Sequence, residues 1–370
     1  MKFSCEKAQL ISCVARAAKV AGTKNAIPAL EGLLFEVSDK IHITGYDLKT
    51  GIKTALTADI TQEGSIILNA RLFGEIIRKL PDDVVTITAD DKNMATIRCG
   101  MSEFNIMGTP AEDFPELPVV DTDDAIYIPQ NILKSMISQT IFAISDDESR
   151  PIHTGTLFEI RAGTLLLVSV DGYRLALRKE SLDKSNMDIC KFVVPGNALA
   201  EVEKIASDTE DLVKITLGSK HVMFNIDDTM IVSRRLEGEF INYEQVIPAD
   251  SKIILTADRK ELIDAVERVS LIINDKVKSP IHCVFEDGLV QLSAMTNLGK
   301  ASDRCMLKGD CPESMEIGFN NKYILDALKT APADEISIHL NTSISPCVIK
   351  PADGGDNFTY LVLPVRLKAE

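Results

Sequence analysis

No apolar stretch in this sequence approaches the roughly 20 residues that a membrane-spanning helix needs. The start, Met1-Lys2-Phe3-Ser4-Cys5-Glu6-Lys7, meets charge too early for a secretory signal. A cytoplasmic chain, away from any membrane, is the expectation. Cysteine pairs are missing too: Cys5, Cys13, Cys99, Cys190, Cys283, Cys305, Cys311 and Cys347 form no CxxC, and most lie in apolar runs such as Ile281-His282-Cys283-Val284-Phe285. They read as buried, reduced thiols without metal or redox chemistry. The motifs GxxxxGK(S/T), GxSxG, HExxH and GxGxxG are all absent, which removes the usual phosphate cradles and nucleophile elbows. His42, His153, His221, His282 and His339 are scattered, four of them in or beside strand-like runs where a packed imidazole is the ordinary outcome. Asp146-Asp147-Glu148 is the best carboxylate cluster, and with no second acidic pair close in sequence it reads as a solvated loop. No catalytic residue, metal or cofactor is expected.

What is present is length and repetition. The 370 residues exceed what one hydrophobic core usually supports, so two or three domains are expected. A pattern recurs three times at a period of about 125 residues, the size of a domain. It opens with a helix whose apolar residues stand at i and i+4: Leu10 and Val14, Leu133 and Ile137 (window 130–142), Leu262 and Val266. A hairpin follows, GLLFEVSDKIHITGYD from Gly32, GTLFEIRAGTLLLVSVD from Gly155 and IHCVFEDGLVQLSAMTN from Ile281, with Phe35, Phe158 and Phe285 at equivalent places. A second helix starts near Asn69, Pro195 and Asn320 and leads into the alternating strands DDVVTITAD, EDLVKITLG and DEISIHLNT. Acid-bearing joints at 118–124 and 247–251 separate three α+β domains, placed at 1–122, 127–248 and 252–370.

Net charge is −15, which alone argues against nucleic acid. The charge is unevenly spread, however. The six helical windows together carry +5, leaving −20 for the rest, and the exposed positions expected in the third window (Gln130, Asn131, Lys134, Ser135, Ser138 and Gln139) include no acid. Helices that are neutral to basic beside acidic strands and loops suit sequence-independent contact with a phosphate backbone. Zinc-finger spacing, RNP-type aromatics and a basic-region run are absent, so base readout is not expected. A monomeric enzyme would need a catalytic set that is missing, and a purely protein-binding adaptor would leave the basic helices without a purpose.

One stretch, SVDGYRLALR at 169–178, crowds Asp171, Tyr173 and Arg174 around Gly172. Its residues suit a catalytic turn, an ion-pair staple or one wall of a binding site. Together with the opening MKFSCEKAQLISCV, with EGEFINYEQVIP, EIGFNNKYILDAL and the ending YLVLPVRL, it resembles the family of bacterial DNA polymerase III β subunits, the sliding clamps. The likeness runs from the first residue to Leu367.

That resemblance implies a non-catalytic subunit of the polymerase III holoenzyme, a head-to-tail homodimer closing into a ring. Helices would line the hole around double-stranded DNA, and antiparallel sheets would form the outside. Lys7, Arg16, Lys19, Arg71, Arg78, Lys79, Lys134, Lys204, Lys322 and Lys329 are then candidate channel residues, with Lys24 at a position where the family has a basic DNA contact. The stretch around Arg150 departs from the polar and aromatic residues that some members place on DNA. Phe104, Asn105, Ile106 and Met107 would form an edge strand meeting the region of Leu271 and Ile272 in a second copy. A cleft for short extended peptides from the polymerase catalytic subunit, the clamp loader, and repair and other polymerases would be built from Val170, Gly172, Tyr173, Arg174 and Leu175. It would also use His153, Ile241, Gln245, Val246 and Pro346, with Leu361, Leu363, Pro364, Val365 and Arg366 from the C-terminal stretch. Val170 and Tyr173 stand where the family often has Thr and His, and Ile241 where it commonly has Pro, which implies peptide binding with a changed preference.

Overall fold

The computed structural model describes residues 1–22, 26–122, 124–182, 184–185, 189–273 and 279–367. Its α-helices are α1 (Lys7–Ala17), α2 (Ala70–Lys79), α3 (Gln130–Ser138), α4 (Gly196–Ile205), α5 (Arg259–Ser270) and α6 (Asn321–Thr330). Each falls in one of the helical windows of the repeat. Side chains write three of the six starts: Asn69 Oδ1 accepts from the Leu72 N–H at 3.0 Å, Asp258 Oδ1 from Glu261 at 2.8 Å, and Asn320 Oδ1 from Lys322 at 2.9 Å. The window around α3 is shorter than its pattern implied. It stops at Ser138, where the Thr140 hydroxyl turns back onto the Met136 carbonyl at 2.8 Å and a 3-10 turn, Ile141–Ala143, takes over.

The chain divides into two compact units, Met1–Lys134 with Asp183–Met187 and Asn197–Arg235, and Ser135–Leu182 with Asp188–Gly196 and Leu236–Glu370. The first holds two antiparallel sheets. One runs in the order Asp59–Gln62, Lys2–Glu6, Val84–Ala89, Met94–Cys99, Ser102–Met107. The other has nine strands, and Thr50–Leu56 of the first repeat pairs in it with Thr229–Arg234 of the second. In the second unit a single twelve-stranded sheet joins Arg174–Ser181 to Phe358–Val362 of the third repeat. All three expected hairpins form: Gly32–Val37 with Ile41–Tyr46, Gly155–Arg161 with Thr164–Val170, and Ile281–Glu286 with Leu289–Thr296.

The apolar stripes and strand faces close on one another as their periods require. Leu10, Val14, Phe35 and Phe73 lie in one buried cluster, where the Phe35 and Phe73 rings meet edge to face at 5.0 Å. Gly45 is a place where only glycine fits, because a Cβ there would lie 2.0 Å from the Ala17 carbonyl at the end of α1. Seven cysteines are buried, and burial pushes Cys5 and Cys347 up to about 12, so these thiols stay protonated and inert. The third helical window departs from its pattern in burial. Gln130 and Gln139, expected on the surface, are buried. Gln130 Nε2 donates to Asp227 at 2.9 Å while its Oε1 accepts from the Ser207 N–H at 2.9 Å, so this side chain ties two neighbouring segments together. Gln139 Nε2 donates to Ser135 Oγ at 2.7 Å.

Phe73→Ala removes a fully buried ring that packs on Phe35. It is expected to destabilise the first unit by about 3–5 kcal/mol, whereas Asn320→Ala, which deletes one helix cap, lowers stability by only about 1 kcal/mol. Urea unfolding followed by circular dichroism reads both.

Candidate functional site

The tip between strands Thr164–Val170 and Arg174–Ser181 turns on Asp171. Its Oδ1 accepts from the Tyr173 N–H at 2.8 Å and from the Arg174 N–H at 3.0 Å, and Gly172 takes φ 91°, a backbone state that side chains disfavour. Arg174 donates from Nε to Asp171 Oδ2 at 2.9 Å and from Nη1 to Asp326 of α6 at 2.5 Å. Its guanidinium carbon lies 4.6 Å from the ring centre of Tyr323 and 5.4 Å from that of Phe142. At 8% exposure this arginine is a buried staple. Tyr173 is the opposite case, 61% exposed and stacked on Tyr323 with ring centres 6.0 Å apart.

The two-residue period of a strand then sends Leu175 to the other face of the sheet from Arg174. In register, Leu175 pairs with both Val170 and Leu361, and Leu361 with Val348. These residues make an apolar row across four strands, inside a buried cluster that includes Leu157, Leu177 and Tyr243. Around the row lie side chains without such cover: Ile241, Val246 and Val365 are exposed, as are Gln245 and Arg366, while Pro346, Leu363 and Pro364 are half-buried. The Leu363 N–H bonds the Tyr173 carbonyl at 2.8 Å and the Val365 N–H bonds Gly318 at 2.8 Å, which holds the C-terminal stretch beside the hairpin tip. His153 packs edge to face on Phe240 at 5.8 Å, and burial followed by the Arg150 charge lowers its pKa below the ordinary value. An apolar floor with an uncovered rim suits an extended chain better than a reaction. Among the described residues, no group of three or more His, Cys, Asp or Glu is placed to hold a metal.

Tyr323, Phe142, Asp326 and Tyr243 are neighbours of this region that the sequence motifs do not single out. Tyr243 lies inside the stretch EGEFINYEQVIP, and Tyr323 and Asp326 inside EIGFNNKYILDAL, where their three-residue spacing puts them on one face of α6.

The basic helix residues separate into two groups. Lys7 is largely buried, donating to the Leu80 carbonyl at 2.6 Å and to Asp82 at 2.8 Å, so it ties down the end of α2. Arg16 donates to the Thr229 hydroxyl at 3.1 Å. Arg71, Lys134, Lys204 and Lys329 pair with Glu75, Asp208, Glu201 and Glu267 at 3.2, 2.9, 2.7 and 2.6 Å. Lys19, Arg78, Lys79 and Lys322 are exposed or half-buried, and among the described residues no ion pair involves them. Arg78 and Lys79 also occupy the last turn of α2, where the helix dipole favours positive charge. Lys24 lies outside the described residues.

Two of the strand edges left open among the described residues carry the residues expected at a contact between copies. Ser102–Met107 ends its five-stranded sheet, with Phe104 38% and Met107 65% exposed, Asn105 held by the Thr96 hydroxyl at 2.7 Å, and Ile106 turned into the core. In the second unit, Gly299–Lys308 pairs along its length with Leu289–Thr296, but on its other side only Leu307 and Lys308 find partners. Leu271 is 83% exposed and Ile272 packs against the core. No described helix is long and apolar enough to cross a membrane.

Models of the DNA polymerase III beta subunit match the chain in three blocks, the N-terminal domain over residues 1–118, the central domain over 127–242 and the C-terminal domain over 244–366. A Bacillus subtilis protein named Beta sliding clamp is 33% identical over 377 residues, covering 99% of this chain and 100% of its own length. The crystal structure of the Bacillus subtilis DNA polymerase sliding clamp is similar with a TM-score of 0.94 at 32% identity, covering 100% of both chains. A sliding clamp of Pseudomonas aeruginosa bound to griselimycin reaches a TM-score of 0.94 at 27% identity, covering 99% of this chain and 100% of its own. The chain belongs to the DNA polymerase III beta subunit family, the sliding clamps, and its function is that of a non-catalytic processivity clamp in DNA replication.

Proposed function

We propose that two copies of this chain, each with clamp domains at 1–122, 127–248 and 252–370, join head to tail into a ring around duplex DNA in the cytoplasm. There the ring works as a subunit of the polymerase III holoenzyme. The observation that carries this reading is the pair of open edges. An exposed edge with apolar side chains is an aggregation hazard unless it is paired. Phe104, Asn105, Ile106 and Met107 of one copy set against the open side of Gly299–Met306, near Leu271 and Ile272 of the other, would make a heterologous contact that closes after two copies.

A closed ring holds DNA by linkage, so its contacts with phosphate stay few, water-bridged and indifferent to sequence. Lys19, Arg78, Lys79 and Lys322, free of acidic partners among the described residues, are the best placed for them. The lysines and arginines already paired with acids contribute less. The apolar row of Val170, Leu175 and Leu361, with Tyr173, Ile241, Val246, Leu363 and Val365 at its rim, takes short extended peptides. The catalytic polymerase subunit, the clamp loader, and repair and other polymerases would present them.

Light scattering is expected to give twice the chain mass, and Phe104→Asp with Met107→Asp to give the mass of one chain with its circular dichroism unchanged. A double variant that stays dimeric removes the edge contact from the reading. Loaded onto nicked circular DNA by a clamp loader, the protein is expected to stay bound until the circle is cut. Lys19→Glu with Arg78→Glu and Lys79→Glu should weaken direct binding and flatten its salt dependence by about 0.9 in the log–log slope for each phosphate that is no longer neutralised. For the peptide site, Leu363→Ala is expected to lower affinity about ten-fold with normal folding. Arg174→Ala strands Asp171 and Asp326, and should destabilise the second unit by about 3 kcal/mol. Calorimetry with a polymerase-tail peptide, read beside thermal melts, separates the two effects.

A further inference from the structure

The repeat makes two grooves comparable. In the second unit Leu157, Val168 and Leu177 stand in register across three strands. Tyr243 covers them, 4% exposed, and its hydroxyl donates to Glu159 at 2.7 Å while Lys191 meets the same carboxylate at 3.1 Å. The register of the first unit puts Leu34, Thr44 and Lys53 in those places, with Glu36 and Ser65 where Glu159 and Lys191 stand. The overlying segments correspond as well: Phe114 and Leu117 keep the spacing of Phe240 and Tyr243. Leu117 packs over Gly51, the register equivalent of Leu175, and has no ring or hydroxyl to carry it on to Glu36.

What remains is a groove of about 570 Å³, bounded by Leu34, Thr44, Lys53, Phe114, Met223 and Met230. That volume falls within the roughly 300–1,000 Å³ of small-ligand sites. Thr44 is 2% exposed, and among the described residues its hydroxyl has no hydrogen-bond partner. A buried hydroxyl left unbonded is uncommon and unfavourable until something bonds it. Glu36, held by Lys53 at 2.9 Å, and the exposed Glu112 and Glu116 make the mouth acidic.

We propose that this groove receives a tyrosine side chain from a partner protein, flanked there by lysine or arginine. The template is the chain's own Tyr243, which fills the equivalent groove of the next repeat. The ring would rest on Leu34, Met223 and Met230, and the hydroxyl would reach Thr44 and Glu36. Three carboxylates against one lysine at the mouth favour a basic flank over an acidic one.

Methyl NMR of the full-length protein tests this with four probes: p-cresol, toluene, and tyrosine amide tripeptides flanked by lysine or by glutamate. Saturable shifts at Met223 and Met230 are expected from p-cresol and the lysine-flanked peptide. Toluene should bind about five-fold more weakly, the worth of one ordinary hydrogen bond, and the glutamate-flanked peptide more weakly than its lysine counterpart. Leu117→Tyr supplies the missing ring from within and is expected to abolish the shifts without lowering the melting temperature. Should that variant fold poorly, Thr44→Val serves instead, with loss of the preference for p-cresol over toluene as the expected result. Absence of saturable shifts, unchanged p-cresol binding in Leu117→Tyr, or an unchanged preference in Thr44→Val overturns the proposal. So does equal binding of toluene and p-cresol in the native protein, equal binding of the two peptides, or binding of free p-cresol with no binding of the lysine-flanked peptide.

Discussion

In each unit one antiparallel seam ties together strands that are far apart in sequence, Thr50–Thr54 with Thr229–Ser233 in the first and Arg174–Arg178 with Phe358–Val362 in the second. The backbone groups on these strand edges need partners when buried, and strands of a single repeat do not supply enough of them. Pairing across repeats satisfies them and carries a hairpin tip to each seam. The tips are built alike: Asp47 Oδ1 accepts from the N–H groups of Lys49 and Thr50 at 2.8 and 2.6 Å, as Asp171 does from Tyr173 and Arg174 at 2.8 and 3.0 Å. The proposed peptide site lies at the second seam, where the C-terminal stretch, through Leu363, bonds to the tip.

The alternation of a strand explains why one short motif serves two ends. Arg174 faces the helix side, where two aspartates and two aromatic rings leave its charge little free capacity. Leu175, one residue on, belongs to the apolar row on the other side. Rigidity on one face sets the position of the apolar row on the other, since a staple that fixes the backbone at Arg174 also fixes Leu175.

Repetition of a fold does not repeat its side chains. Tyr243 and Glu159 close a groove in one unit with a hydrogen bond that also raises the phenol pKa, burial being the larger cause. Leu117 leaves the matching groove of the other open over Thr44. Charge diverges in the same way, with Lys7 tied to the end of α2 while Lys19, just beyond the same helix, meets no acid among the described residues.

Helix and hairpin placement was legible because it depends on local pattern: Leu10 with Val14, Leu133 with Ile137, the Asn69 and Asn320 caps, and the turns of the three hairpins. The likeness of the whole chain to the clamp family was legible for the same reason, since its motifs are contiguous. Burial of Gln130, the Asp326 partner of Arg174 and the commitment of Lys7 were not, because each depends on a residue from another element: Asp227, Asp326 and Asp82, whereas the Asp171–Arg174 pair, three residues apart, was among the readings of the motif. By itself the sequence determined which segments are helix or strand and in what repeating order, through periods of 3.6 and 2 residues that a chain expresses locally. Only the tertiary structure decided which of the polar groups carried by those segments are free to meet a partner, because that depends on which distant charges the seams bring within hydrogen-bond reach.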